Sequence, residues 1–178
     1  MNTHEGLDVS HTHKPIGWIV GEASPEKFIF VSNRDEHPPK YEYVVIHSKE
    51  LIGEDLRDVD VLAQVIGVIS KSSSYNEELD YRAIERIRSA GIDDANVLCL
   101  ARTLGFMANE GESGSILLPR RAIYPGNSVY LAPDSLVEKF FSYPEEEGLS
   151  VGYLGSRPRI KVHLSVNGFR RHVAVIAQ

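Results

Sequence analysis

Between Ile16 and Ser72 the chain switches again and again between short β-branched runs and turn residues, and that alternation leaves little choice of architecture. The runs are "IGWIVGE", "KFIFVS", "YEYVVIHS" and "VLAQVIGVISKS". Between them stand "ASPE", "NRDEHPPK" and "KELIGEDLRDVD". Pro38 and Pro39 exclude a helix in the second connection, because proline lacks the N–H and clashes with the preceding turn. "KELIGEDLRDVD" reads as a polar connection with a few apolar anchors. Four strands within roughly 55 residues is the spacing of a small barrel or sandwich.

The pattern then changes period. "NEELDYRAIERIRSAG" places Leu79, Ala83, Ile84 and Ile87 at helical spacing, with charges opposite and Gly91 positioned as a C-terminal cap. An amphipathic helix inserted near residues 76–91 is expected. Strands resume with "NVLCLARTLGFMA", the polar loop "NEGESG" and "SILLPRRAIYPGNSVYLA", in which Pro119 and Pro125–Gly126 act as corners. "PDSLVEKFFSY" predicts a short helix capped by Asp134 or Ser135, with Leu136, Phe140 and Phe141 inward. "PEEEGLSVGYLGSRPR" returns through turns to the strand "IKVHLSVNGF". The last run, Val173 to Ala177, has the continuous apolar character of a strand buried on both faces of a parallel sheet. No neighbouring strand or crossover helix follows it, so the expectation is a fragment cut where a second domain begins.

The balance of 25 acidic against 19 basic side chains, a net charge of -6, argues against a domain devoted to gripping a nucleic-acid backbone. The single cysteine, Cys99, sits in an apolar run, which excludes an internal disulfide and suggests a buried structural thiol in a reducing interior. No apolar run approaches the ~20 residues of a membrane helix and no signal peptide opens the chain, so a cytoplasmic location without membrane contact is expected. His4, His11 and His13 lie in a polar arm, Met1 to Pro15, that is expected to be loose and to hold no metal. G-x-x-x-x-G-K-[ST], H-E-x-x-H, C-x-x-C and G-x-S-x-G are all missing from the sequence. Asp93 and Asp94 precede a strand, where such pairs make Asx turns more often than metal sites. No catalytic residue, cofactor ligand or metal ligand is assigned.

The segments "LGFM", "LLPRRAIYPGNSVYLA", "VGYLGSRPRIKVHLSVNGF" and "RRHVAVIAQ", in that order, resemble the N-terminal part of the archaeal hexameric DNA translocases of the HerA type, in the FtsK–HerA class. The resemblance covers Ile16 to Gln178. It implies a mainly β fold: a small closed barrel of the ATP-synthase-like HAS type with one or two short helices, followed by the first strand of a RecA-like motor. The implied organisation is an arm at 1–15, the barrel at 16–160, and a connection with that first strand at 161–178. ATP and magnesium are then the cofactors of the parent motor and not of this chain, which stops before the phosphate loop. The implied role is assembly and partner docking in a hexameric helicase that works with the NurA nuclease in resecting DNA double-strand-break ends.

Two sets of residues follow as candidates. Arg157, Arg159, Lys161, Arg170 and Arg171 cluster along the exit from the barrel and are expected to face the motor or the DNA. The opposite end would carry the partner surface, on "NRDEHPPKY" with His37, Pro38, Pro39 and Tyr41, and on "NEGESGSI" with Ile116. A freestanding OB-like nucleic-acid reader is the competing expectation. It would use exposed aromatics interleaved with lysines, for which Tyr41, Tyr43, Lys40 and Lys49 are the available residues.

Overall fold

The computed structural model describes residues 14–108, 115–141 and 148–170. Met1 to His13 with its three histidines, all of "NEGESG", the Glu145–Glu147 run, Arg171 and the expected strand Val173–Ala177 lie outside the described residues. The chain divides into two compact units, 1–131 and 132–178.

The first unit is a closed antiparallel barrel. Its strands are β1 (Gly17–Val20), β2 (Lys27–Ser32), β3 (Tyr43–Ile52), β4 (Asp55–Lys71), β5 (Asn96–Met107), β6 (Ile116–Leu117) and β7 (Ser128–Leu131). They pair in the order β2-β1-β7-β3-β4-β5, and β5 closes on β2, giving six strands in the ring with β6 added outside on β5. Closure removes the unpaired edges that an open sheet of this size would leave.

Period-two alternation sends one face of each strand inward. On β2 these are Phe28, Phe30 and Ser32; on β5 they are Val97, Cys99, Ala101 and Thr103. Size alternates across the ladder: Phe28 lies opposite Ala101, and Phe30 opposite Cys99. Large rings facing small side chains let the layers interlock in a narrow barrel, and truncating either phenylalanine would cost about 3–5 kcal/mol. Gly17 completes the fit. A Cβ there would stand 2.3 Å from the Val31 carbonyl oxygen and 2.8 Å from the Phe30 ring, so no larger residue lets β1 approach β2. The register between β4 and β5 slips at Leu62/Ala63 and again at Val65/Gly67, and bulges of this kind add the twist that closure requires.

Two elements depart from expectation. "KELIGEDLRDVD" is no loose connection: β3 and β4 form one continuous hairpin, paired from Tyr43↔Gln64 to Ile52↔Asp55. Gly53 takes φ 66° while Glu54 does not share the positive region, the signature of a two-residue turn with glycine first. Charged residues on the exposed arm of a hairpin obscured the strand in the sequence. In the second unit, β8 (Gly148–Tyr153) is a strand paired with β9 (Lys161–Ser165), where turns were expected. Its Gly and Ser residues resemble turn chemistry, yet the ladder runs from Gly148↔Ser165 to Tyr153↔Lys161, with one slip at Ser150/Gly152 that leaves Val151 unpaired in it.

The helix α1 (Tyr81–Ser89) forms where its periodicity places it, with Asp80 accepting from the Ala83 N–H and Gly91 at φ 68° just past the end. None of its residues is buried. The helix α2 (Asp134–Phe141) begins one residue earlier than expected: the Pro133 carbonyl accepts from the Leu136 and Val137 amides, and Asp134 already sits in the first turn. Val137, not Leu136 or Phe140, is its fully buried side chain. A 3-10 turn, Val166–Arg170, follows β9.

Candidate partner-docking surface

In an antiparallel barrel, successive connections alternate between the two rims. One rim therefore carries the β2–β3 loop, the long β4–β5 connection with α1, and the end of β7. The other carries the β1–β2 turn, the β3–β4 tip and the β5–β6 loop. This divides the sequence candidates. His37, Pro38, Pro39 and Tyr41 belong to the first rim, while Ile116 belongs to the second. The structure does not bring these two groups together.

The β2–β3 loop is held by many small ties. Asn33 Oδ1 accepts from the Asp35 N–H, Lys14 reaches Glu36 at 3.0 Å, and Arg34 bridges to Asp93 in the β4–β5 connection at 2.8 Å. His37 Nδ1 lies 2.7 Å from the Arg34 carbonyl. A carbonyl only accepts, so the proton stands on Nδ1 and Nε2 is left to the solvent side. Pro38 is buried, and Pro39 is exposed.

Tyr41 is the most unusual residue of this rim. It has φ 74°, the only positive φ outside glycine among the described residues, with its side chain 55% exposed. Tyr41 N–H donates to the Val65 carbonyl at 2.7 Å, and the Val65 N–H donates to the Glu42 carbonyl at 2.9 Å. Two residues thus oppose one, a bulge whose first position is normally glycine. Holding a tyrosine there costs about 1 kcal/mol, and such strain concentrates at recognition sites. Lys40 Nζ sits 4.8 Å above the ring. Tyr43, by contrast, is buried in a strand and offers no stacking face.

On the second rim Ile116, Leu117 and Leu118 are exposed beside Arg120 and Arg121. The segment "PRRAIYPG" is fixed there by Glu50, a carboxylate only 1% exposed. Its oxygens accept from the Arg120 N–H at 3.2 Å and the Arg121 N–H at 3.0 Å, while Arg120 Nη2 donates to the Leu51 carbonyl at 3.0 Å. Sequence reading passed over Glu50, since a lone glutamate in a charged stretch carries no local mark of burial. Beyond it, the Gly126 N–H donates to Ile19 and the Ile19 N–H to Asn127, which sews the Pro–Gly corner onto β1.

The basic residues of the second unit are dispersed in role. Arg157 bridges to Asp134 at 2.7 Å with its side chain 12% exposed, so it is a structural tie. Arg159 and Lys161 are exposed. Arg170 ends the 3-10 turn.

No group of three or more metal-capable side chains occurs among the described residues. The sequence holds no G-x-x-x-x-G-K-[ST] loop of the kind that binds ATP and magnesium in the resembled motor. Asp94 anchors the start of the β4–β5 connection. The hydroxyls of Ser72 and Ser73 and the amides of Ser73 and Ser74 converge on its carboxylate, holding it well below the usual carboxylate range. Burial pushes the Cys99 thiol up to about 11, which makes it unreactive.

No family model matches the chain. It is 27% identical over 164 residues, 91% of its length, to a probable helicase of Methanocaldococcus jannaschii, of which it spans 29%. It is 34% identical over 137 residues, 75% of its length, to a second probable helicase of the same organism, of which it spans 22%. The chain thus spans less than a third of either relative. No helix among the described residues is long and apolar enough to cross a membrane.

Proposed function

We propose that the chain is the barrel domain of a HerA-type ATP-dependent DNA translocase and serves assembly and partner docking rather than catalysis. The observation that carries this reading is the similarity to a probable helicase over 91% of the chain, joined to a closed barrel in which Glu50 and Asp94 serve as structural ties. In the whole protein, the motor would bind ATP and magnesium and act on DNA as a cytoplasmic hexamer. The barrel would receive a nuclease of the NurA type for end resection. Tyr41, held in a strained bulge and exposed, is the favoured contact on the first rim, with His37 and Pro39 beside it.

Co-elution of the chain with a NurA-type nuclease on gel filtration tests the reading. The expected result is a complex that Tyr41→Ser weakens by about 1–3 kcal/mol, the range for a central contact, with circular dichroism unchanged. Absence of any complex at ~100 μM, a weak-interaction concentration, overturns it. Titration with single-stranded and duplex DNA at two salt concentrations tests the competing OB-like reading, which requires tight binding with a steep salt slope.

A further inference from the structure

The outer wall of the barrel is apolar where solvent should make it polar. On β2, Phe28, Phe30 and Ser32 turn inward, so Lys27, Ile29 and Val31 share the outer face. Val31 pairs with Trp18 on β1 and with Leu98 on β5, and Leu98 pairs with Ile69 on β4. Ile29 pairs with Val20 on one side and Leu100 on the other. Two adjacent apolar rows result, in which Trp18 is 51% and Ile69 64% exposed. Exposed apolar surface of this continuity marks a docking site.

The third row is basic. Lys27 lies directly opposite Arg102, a like-charge pair that destabilises a ladder. Neither forms an ion pair among the described residues. Asp94, at the other end of the strip, is no counter-charge, because the serine hydroxyls and amides of Ser72 to Ser74 already occupy its carboxylate. Going away from the first rim, β2 therefore offers an apolar, an apolar and a basic side chain at Val31, Ile29 and Lys27.

The described chain begins beside this surface. The Ile16 carbonyl accepts from the Ser32 hydroxyl, and Lys14 bridges to Glu36 at 3.0 Å. The arm, Met1 to His13, thus leaves from the rim at which the strip starts. Going outward along it, Val9, Leu7 and Glu5 stand two residues apart, which is the spacing and the order of Val31, Ile29 and Lys27. At ~3.3 Å per residue in extended chain, both series repeat every ~6.6 Å. The five residues from Lys14 to Val9 can span up to ~17 Å, enough to turn over the rim. Glu5 and Asp8 are the only carboxylate side chains of the arm, and it holds no Lys or Arg.

We propose that the arm of this chain lies extended along the outer face of β2, with Val9 on Val31, Leu7 on Ile29 and Glu5 over the Lys27–Arg102 pair. The proposal is independent of the helicase reading. Both edges of β2 are already paired, to β1 and to β5, so side chains and charge hold the arm without a ladder. Weak contacts suffice, since a short tether keeps the arm at millimolar effective concentration. A nucleic acid is disfavoured as the occupant because the rows hold one aromatic ring among aliphatic side chains, which cannot stack on bases.

Trp18 is the only tryptophan in the chain and borders Val31. Acrylamide quenching of its emission is measured on the full chain at ~10 μM, below the range of weak self-association, with circular dichroism and sedimentation velocity alongside. Leu7→Asp combined with Val9→Asp should raise the quenching constant about twofold and shift emission to the red, with fold and sedimentation unchanged. Glu5→Lys should do the same in part, and adding Lys27→Glu and Arg102→Glu should restore the protection. A zero-length carbodiimide should couple Glu5 to Lys27 within one chain, as read by peptide mass spectrometry. Equal quenching in the parent chain and the double variant, with no link between Glu5 and Lys27, overturns the proposal. Protection of Trp18 that grows with protein concentration assigns the strip to a second copy, and protection gained only on adding an oligonucleotide assigns it to nucleic acid. Either result overturns it equally.

Discussion

Replacing Glu50 should expose how the "PRRAIYPG" segment is held. The carboxylate is 1% exposed, and both backbone donors of Arg120 and Arg121 end on it. Glu50→Ala leaves two part-buried N–H groups without their acceptor, each worth up to about 1–3 kcal/mol when left unsatisfied. It also removes packed methylenes worth about 0.8 kcal/mol apiece. Some rehydration of the loop offsets part of this, and a net loss of about 3–5 kcal/mol is expected, a large share of the 5–15 kcal/mol of a typical domain. Glu50→Gln keeps one acceptor oxygen but turns an NH₂ toward the other donor, and should cost about 1–3 kcal/mol. Urea unfolding followed by circular dichroism gives the ordering, and native-state hydrogen exchange gives the location. The Arg120 and Arg121 amides should lose protection in both variants, while β2 and β5 amides fall only with global stability. A loss below about 0.5 kcal/mol for Glu50→Ala, the scale of an ordinary surface change, with those two amides still protected, would refute the reasoning.

At Tyr41 the φ of 74° predicts that glycine and asparagine are tolerated within about 1 kcal/mol, whereas valine, β-branched at positive φ, costs about 1–3 kcal/mol more; thermal unfolding of the three variants checks the order. Asp94 has a folded pKa lowered chiefly by the Ser72 and Ser73 hydroxyls, so its contribution to stability is complete above the unfolded value near ~4 and is lost as pH falls toward the folded one. The Asp94→Asn variant should therefore show a shallower loss of stability between neutral pH and pH ~3 than the parent chain, by urea midpoint at each pH. Cys99, buried with its thiol pushed up to about 11, should resist alkylation in the native state at pH ~8 and react at the rate of unfolding, so that Phe30→Ala, which opens the wall facing it, accelerates the labelling.

Local order was legible in the sequence. The runs "KFIFVS" and "NVLCLARTLGF" declare strands because β-branched residues at period two need a pleated, half-buried surface, and "DYRAIERIRSAG" declares its helix by its spacing and glycine cap. These signals are carried by residues within one or two turns of each other. The barrel's closure was legible only as a class, since the pairing of β2 with β5 joins residues about seventy positions apart, from Lys27↔Arg102 to Ser32↔Val97, and no local pattern encodes a partner at that distance. The same holds for the candidate surface. Tyr41 was visible as an aromatic in a proline-rich loop, but its strain arises from the bulge against Val65 across the sheet. Glu50 looked like one more solvated charge until the fold brought the Arg120 and Arg121 amides to it, and Ile116 looked like a companion of Pro39 until strand direction put them on opposite rims. Most strands and both helices could be read from propensity and periodicity, which act locally. The outer arm of the β3–β4 hairpin and strand β8 could not, because charged and turn-like residues there are held by their cross-strand partners. Only the tertiary structure decided which polar groups are buried and which loops share a rim, because those depend on what distant segments bring into contact.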